Sequence, residues 1–485
     1  MKRRYLRYIG FLLICILFLL SCKRKNEKQV KEESSYNKAK ENRELSIWSY
    51  YSGAQLEAFK KTIDEFNEGR GRELNFSVRL MNPGSFEDIE NNLLALTDKN
   101  FTQDDYPDMA FMYADIAWVL DRKHYLVDLS RYFSQEELDA FVPEFLNEGR
   151  LGKKDEGIKI LPVGKSTELF FLNGTDWKKF ADATGTKLTE LETREGLMEV
   201  AKKYYEYTDA LTPEENDGKP FFGMDDFANY FLVGAKQMGV DLISKDSSGN
   251  ASYNFPKPIL RKLWDNYYVP YIKGYFASIG RYRSDDVRTG EILSYVGSSA
   301  GYSYFPRDVI LSDEVHYSID CIVLPCPQFV KGERFAMQQG AGISVLNGTE
   351  ERVKDSVEFL RWLTGKEENC KFAMSAEYLP VRVDGFTIQT IDILKGRGSD
   401  PAMEEALNVM NSHTLYTTPA VANSKNVRNI LENSLPEKAE KDRKEVETAM
   451  ASGLSYEDAI GEFNTEENFN LWYDALLAEM NQLQD

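Results

Sequence analysis

Segments typical of β-strands alternate with segments typical of amphipathic helices, and this alternation restricts the fold more than any other feature of the sequence. The stretch ELSIW (44–48) has the apolar and β-branched residues of a short strand. The next segment carries apolar residues at the spacing of a helix that buries one face: Leu56, Phe59, Ile63 and Phe66. The stretch at 342–363, GISVLNGTEERVKDSVEFLRWL, repeats the order of strand, loop and helix. Such alternation predicts an α/β protein with mainly parallel sheets flanked by helices.

The amino-terminal residues have the layout of a secretory signal. MKRRYLR is cationic, and Ile9–Leu20 is almost entirely apolar but has only 12 residues, whereas a membrane-spanning helix needs about 20. The sequence Leu19-Leu20-Ser21-Cys22 resembles a bacterial lipobox, in which the cysteine becomes the lipidated amino terminus. We therefore expect a signal peptide at 1–21 and, at 22–44, a lipidated Cys22 with a charged, flexible tether. The alternative is an uncleaved membrane anchor.

Composition excludes several kinds of partner and site. The formal net charge of −19 argues against binding to nucleic acid and against adhesion of the protein surface to anionic lipid. Beyond Cys22 only Cys321, Cys326 and Cys370 remain, an odd number that does not indicate a disulfide framework. The three histidines are scattered along the chain, so the sequence predicts neither a metal site nor a cofactor.

Several segments, in order, resemble the extracellular solute-binding proteins of ABC transporters, in particular the carbohydrate-binding type 1 group. They are LSIWSYYSGAQLEAFKKTIDEFN, YPDMAFMYADIAWVLDRKHYLVDLSRYF, LPVGKSTELFFLN, GEILSYVGSSAGYS and QQGAGISVLNGTEERVKDSVEFLRWLTG. The resemblance implies a two-lobed, periplasmic-binding-protein-like (type II) fold with a hinge, each lobe a mainly parallel sheet flanked by helices. By analogy, lobe one comprises 45–158 plus 327–368, and lobe two comprises 159–326 plus 369–485.

The same resemblance implies a function. A monomeric, non-enzymatic protein on the extracellular face of a bacterial cell membrane, held there by its lipid, would capture a sugar or oligosaccharide between the lobes. It would then deliver this ligand to the permease subunits of an ABC transporter. Closure of the cleft requires that the ligand contact both lobes, because a ligand shifts a conformational equilibrium only by its differential affinity for the two states.

Residues suited to a sugar lie near the expected strand ends and lobe crossing. A sugar needs aromatic platforms for its C–H faces and polar groups that can donate and accept hydrogen bonds. The candidate ligand-binding residues, some of them placed by the resemblance, are Trp48, Tyr50, Tyr51, Asp115, Trp118, Ser166, Thr167, Glu168, Ser299, Tyr302, Tyr304, Gly340, Gly342 and Tyr378. For some of these residues a structural role is an alternative to ligand binding. Trp48 would then pack beneath the first helix, Asp115 would cap a helix, and residues 166–168 would form the hinge.

Three other functions compete with this interpretation. Gly297, Ser299 and Gly301 spell the G-x-S-x-G pattern of α/β-hydrolases, and His413 follows later in the chain, although Pro306 interrupts the helix that the pattern requires. A glycosidase needs only two suitably spaced carboxylates, which an acidic chain supplies. The third alternative is a binding protein that presents its ligand to a membrane sensor kinase.

Overall fold

The computed structural model describes residues 43–97, 106–151, 157–245, 251–385 and 400–483. The predicted signal peptide, Cys22 and almost all of the predicted tether lie outside these ranges. The first strand begins at Arg43, two residues before the predicted start of lobe one at Leu45. Its early start has a physical reason, since the Arg43 guanidinium forms an ion pair of 2.7 Å with Asp355.

The strands lie in five sheets within the described residues. They are β1 Arg43–Trp48, β2 Phe76–Met81, β3 Met109–Met112, β4 Glu168–Asn173, β5 Phe222–Met224, β6 Ile243–Lys245, β7 Ala251–Tyr253, β8 Ser294–Ser298, β9 Asp308–Ile310, β10 His316–Ser318, β11 Cys321–Pro325, β12 Phe335–Met337, β13 Gly342–Val345 and β14 Thr414–Tyr416.

Helices surround these sheets. They are α1 Gly53–Glu68, α2 Arg70–Leu74, α3 Phe86–Ala95, α4 Ala114–Arg122, α5 Gln135–Asp139, α6 Pro143–Glu148, α7 Gly174–Thr184, α8 Arg194–Asp209, α9 Ala228–Gln237, α10 Lys257–Ile272, α11 Arg283–Arg288, α12 Glu350–Leu363, α13 Lys366–Ser375, α14 Pro401–Ser412, α15 Ser424–Ala451, α16 Tyr456–Gly461 and α17 Glu466–Gln482. Four short 3-10 helices complete the described chain: Leu129–Arg131, Leu188–Glu192, Ser299–Tyr304 and Val383–Gly385. No helix in the described ranges is both long and apolar enough to cross a bilayer.

The first large sheet has the order β13-β3-β1-β2, with β1 parallel to both β2 and β3 and β13 antiparallel to β3. Helix α1 follows β1 as the apolar spacing predicts, and its Phe59, Ile63 and Phe66 are buried. These side chains join a core with β1, β3, β13 and α12. This sheet is mainly parallel, as expected.

The second large sheet has the order β11-β4-β8-β5, and only β5 and β8 are parallel. Strand β4 is antiparallel to both β8 and β11, so the expected mainly parallel arrangement is wrong for this sheet. The reason is the path of the chain. We call the parts of the molecule built around the first and second large sheets the first and second bodies. Strand β4 leads away from the first body. Strand β8 ends just before Ala300, whose side chain packs against the core of the first body, and β11 precedes the return of the chain.

Within the described residues, two chain segments, near 161–168 and 337–343, run side by side between the two bodies, and Leu379 lies next to them. Isolated antiparallel bridges join Leu161 to Ile343, Ser166 to Gln339, and Lys165 to Leu379. The division into lobes at the predicted residues remains a prediction. Phe372 and Val381, which that division assigned to lobe two, pack in the core of the first sheet.

Candidate functional site

A cleft lies between the two bodies and contains two neighbouring cavities, of about 370 and about 230 Å³. Four residues line both of them: Tyr50, Tyr113, Asp226 and Gln339. The larger cavity extends toward α3 and α15, and the smaller one toward Ser298 and Tyr304. Together they form one continuous candidate site.

The first body supplies an aromatic wall. Tyr50 follows β1 and Tyr113 follows β3, at the carboxyl ends of parallel strands, where open α/β sheets place their ligands. Phe86, at the start of α3, packs edge-on against both rings, with centroid distances of 5.0 Å to Tyr50 and 4.9 Å to Tyr113. Burial raises the pKa of both tyrosines, so their phenols stay protonated and can donate and accept hydrogen bonds.

The second body supplies polar groups. Asp226 follows β5 and has a positive φ of 47°, a left-handed conformation that is uncommon for residues other than glycine. Thr417 and Thr418 follow β14 and line the larger cavity. Arg428, on α15, also lines it and donates from Nη1 to the Asn229 Oδ1 at 2.9 Å.

The connecting segments contribute a buried polar network to the larger cavity. Lys165 is 1% exposed, pairs with Glu148 and donates from Nζ to the Gly340 carbonyl at 2.6 Å. The same Glu148 Oε2 accepts a hydrogen bond of 2.7 Å from Gln338 Nε2. Because Glu148 and Gln338 line the larger cavity, this network fixes one of its walls.

Contacts also bridge the cleft from one body to the other. An ion pair of 2.7 Å joins Glu90 on α3 to Lys425 on α15. Burial raises the Glu90 pKa to about 7, while Lys425 opposes this shift. On the other side, Gln55 Nε2 donates at 3.1 Å to the carbonyl of Ala300, which follows β8 of the second sheet although its side chain packs against the first core. The cleft is thus closed by polar contacts at two separate points.

Six of the fourteen predicted binding residues line the cavities: Tyr50, Asp115, Ser166, Tyr304, Gly340 and Tyr378. Asp115 Oδ1 accepts from the neighbouring Ile116 N–H at 2.9 Å, in the first turn of α4, and the N-cap is Tyr113 instead. Gly340 also approaches backbone closely, since a Cβ there would lie 2.6 Å from the Gly164 carbonyl oxygen. The ligand-binding role of these six residues remains a prediction.

The other eight lie outside both cavities: Trp48, Tyr51, Trp118, Thr167, Glu168, Ser299, Tyr302 and Gly342. Tyr51 packs in the first core, with its ring centroid 4.7 Å from that of Phe111. Trp48 and Trp118 pack against a hydrophobic cluster around α3 and α4. Tyr302 stacks on Phe171, with centroids 6.5 Å apart.

Structural contacts with neighbouring residues account for three further positions. Thr167 Oγ1 donates to the Met337 carbonyl at 2.8 Å, and Gly342 lies in β13, where a Cβ would meet Ile160 Cγ2 at 2.4 Å. Glu168 is buried at the start of β4 and accepts from Asn229 Nδ2 at 2.8 Å. These residues shape the region next to the cleft instead of lining it.

Sequence reasoning missed much of the cavity lining, including Gln55, Phe86, Glu90, Tyr113, Glu148, Asp226, Gln338, Gln339, Lys425 and Arg428. Tyr113 could have been found, because it directly follows the strand pattern that precedes Asp115. Asp226 lies in the loop between β5 and α9, and the others lie on helices or connecting segments with no local signal of binding.

The G-x-S-x-G segment does not form a nucleophile elbow. Ser299 is 5% exposed and begins a 3-10 helix of six residues, Ser299–Tyr304, instead of a long helix. Its Oγ accepts from the Thr167 N–H at 3.2 Å, and its own N–H donates to the Thr167 carbonyl at 2.7 Å. The imidazole of His413 bonds with the adjacent Ser412. The hydrolase alternative is therefore not favoured.

The family model described as bacterial extracellular solute-binding protein matches residues 61–386, well over half of the chain. The chain belongs to this family. The resemblance noted in the sequence is thereby confirmed, and so is its prediction of an extracellular protein. This family consists of binding proteins. Membership of the chain in it therefore supports the expectation that this solute-binding protein is not an enzyme. No curated protein matches the sequence significantly.

Solved structures support the two-lobed α/β fold of this solute-binding protein. The cyclic alpha-maltosyl-1,6-maltose binding protein from Arthrobacter globiformis has a TM-score of 0.62 and 18% identity, covering 90% of this chain and 98% of that one. UgpB from Mycobacterium tuberculosis, in complex with glycerophosphocholine, has a TM-score of 0.67 and 17% identity over the same shares. The GacH receptor of Streptomyces glaucescens, solved with acarbose, has a TM-score of 0.63 and 13% identity, again over 90% and 98%.

The buried Glu168 gives this solute-binding protein a predictable pH dependence. Desolvation raises its pKa from 4.5 to about 8 in the folded state. The folded protein therefore binds more protons than the unfolded chain between these values, and this residue lowers stability as pH rises from about 4.5 to about 8. We expect Glu168→Gln, which mimics the protonated side chain, to be more stable than the wild type at pH 8 and similar at pH 5.

Urea unfolding at the two pH values measures the free energy of unfolding of each protein. Each unit by which the Glu168 pKa differs between the folded and unfolded states corresponds to about 1.4 kcal/mol. Glu199→Gln is the matched control, because Glu199 is exposed on α8. A Glu168→Gln variant whose stability difference from the wild type does not change with pH would contradict the assignment.

Proposed function

We propose that this protein is a lipid-anchored substrate-binding protein that captures a sugar or oligosaccharide in its cleft and delivers it to an ABC transporter permease. The anchor would be Cys22, exposed by removal of 1–21, and the segment up to β1 would tether the folded body to the membrane. Two or more acyl chains give stable anchoring where one chain gives only marginal binding. We expect the protein to act as a monomer and to bind no nucleic acid.

The observation that carries the proposal is the composition of the cleft walls. One wall presents the rings of Tyr50, Phe86 and Tyr113, and the other presents carboxylate, guanidinium and hydroxyl groups, among them Asp226 and Arg428. Apolar C–H faces and a hydroxyl rim are the two features of a sugar that such walls complement. Two proteins of similar fold support a carbohydrate ligand: one is named for binding cyclic alpha-maltosyl-1,6-maltose, and the other was solved with acarbose.

Contacts from both bodies support capture by closure. Tyr113 and Asp226 belong to opposite walls and line both cavities. A ligand that touches both residues binds the closed form better than the open form, and this difference is what drives closure. The closed form would be the one that docks on the permease.

A ligand screen tests the proposal. We expect a form beginning at residue 23, stripped of bound ligand by unfolding and refolding, to show a thermal shift with members of a broad sugar and oligosaccharide panel. Titration calorimetry should then give saturable binding of one ligand per chain with a Kd of micromolar or tighter. A panel with no thermal shift and no binding heat would contradict sugar binding, and turnover of a bound oligosaccharide would contradict a pure binding role.

A further inference from the structure

Carboxylates outnumber cations in the larger cavity. Its lining residues with charged side-chain types are Glu90, Asp115, Glu148, Asp226, Lys425 and Arg428. Lys425 pairs with Glu90 at 2.7 Å. Lys165, which is buried and does not itself line the cavity, pairs with Glu148. Among the described lining residues, Arg428 is then the one cation left for the carboxylates of Asp115 and Asp226, and it already donates to Asn229.

Two amide oxygens add to this excess of acceptors. Gln338 Nε2 donates to Glu148 at 2.7 Å, and Gln339 Nε2 donates to Asp226 at 3.1 Å. Each carboxylate fixes the orientation of its amide, because a flipped amide would place oxygen against oxygen. The Oε1 atoms of Gln338 and Gln339 are buried without a hydrogen-bond partner, an arrangement that is costly in a folded protein. Both residues line the cavity, so a bound ligand can supply the missing donors after a small side-chain adjustment.

Asp226 occupies the central position among these acceptors. It lines both cavities and has a φ of 47°, a left-handed conformation that aspartate tolerates better than most residues do. One carboxylate oxygen accepts from Gln339, and the other has no partner in the described part of the chain. Asp226 therefore presents a charged acceptor where the two cavities meet.

We propose that the cleft selects a sugar that carries a cationic amino group over its neutral and acidic counterparts, with Asp226 as the specificity-determining residue. This inference rests on the proposed function. An ammonium group brings three donors, no acceptor and a positive charge, and so matches both the unpaired oxygens and the excess of carboxylates. A neutral hydroxyl satisfies an acceptor but leaves the charge uncompensated. A carboxylate or phosphate on the sugar meets groups of its own charge.

The environment of Asp115 points the same way. Burial raises the pKa of this carboxyl, while the charges of Arg428 and Lys425 lower it only in part. A ligand cation in the cavity would favour the ionised form of Asp115 and strengthen its own attraction, because charges interact more strongly where water is excluded.

Matched sugars test the proposal on the wild-type protein. The probes are mono- to tetrasaccharides of gluco and galacto configuration, each as the 2-amino, 2-acetamido and 2-hydroxy form, together with the corresponding uronic acids. We expect the amino form of at least one set to bind about tenfold or more tighter than its 2-hydroxy and 2-acetamido forms at pH 7. Equal or tighter binding of the neutral or acidic member overturns the proposal while sugar binding stands. Absence of binding by every sugar, neutral ones included, overturns the proposed function itself.

An isosteric variant assigns the preference to Asp226. Asparagine tolerates a positive φ, so Asp226→Asn removes the charge and keeps the backbone. We expect this variant to lose about tenfold more affinity for the amino sugar than for the neutral form. The control is Asp182→Asn, at an exposed ion pair on α7, which should change neither affinity. An equal loss for the amino and neutral sugars would overturn the assignment to Asp226.

Discussion

Replacing Tyr113 by leucine is expected to weaken sugar binding about thirtyfold or more, which corresponds to about 2 kcal/mol. The Tyr113 ring lines both cavities and packs against Phe86, with centroids 4.9 Å apart, so its loss removes the face on which a sugar would stack. Titration calorimetry with the tightest ligand from the screen measures the change.

Two further variants separate the ring from other effects. Tyr113→Phe keeps the stacking face and removes only the hydroxyl, so we expect a smaller loss of affinity than with leucine. Tyr282→Leu replaces a tyrosine that is 52% exposed and lines neither cavity, and it should bind as the wild type does. Equal losses for Tyr113→Phe and Tyr113→Leu would show that the ring face does not contribute.

Some of the candidate site could be predicted because strand ends are visible in the sequence. The alternation of strand and helix placed Tyr50 after β1 and Asp115 after β3, and both line the larger cavity. The sequence could not tell which of two adjacent tyrosines faces the cleft, because side chains of successive extended residues point to opposite sides. The structure resolves this choice: Tyr50 lines both cavities and Tyr51 is buried in the core.

The rest of the site depends on tertiary contacts that leave no local pattern. Glu90 and Lys425 meet at 2.7 Å although 335 positions separate them in the sequence, and nothing in the spacing of either residue on its helix indicates the other. The antiparallel course of β4 was missed for a related reason, since strand direction in the second sheet follows from where the chain crosses between the bodies. Asp226 carried no signal either, because only its backbone conformation distinguishes it from other loop aspartates.

Replacing Lys165 by methionine is expected to lower the free energy of unfolding by about 3–5 kcal/mol, as is typical when one partner of a buried ion pair is removed. Lys165 is 1% exposed, and its Nζ holds the Glu148 carboxylate and the Gly340 carbonyl together where the connecting segments meet. Methionine fills a similar volume, so the loss would come from leaving the Glu148 charge uncompensated and not from a cavity. Urea unfolding at pH 7 measures it.

The double variant Lys165→Met with Glu148→Gln tests that cause. Removing both charges should recover part of the lost stability, because the remaining amide can still accept from Gln338 and no buried charge is left alone. In contrast, Lys178→Met breaks an ion pair whose side chains are 74% and 67% exposed and should cost less than about 1 kcal/mol. A double variant no more stable than Lys165→Met would contradict this cause. The lost stability would then come from the packing of the lysine side chain and its hydrogen bond to Gly340, and not from charge compensation.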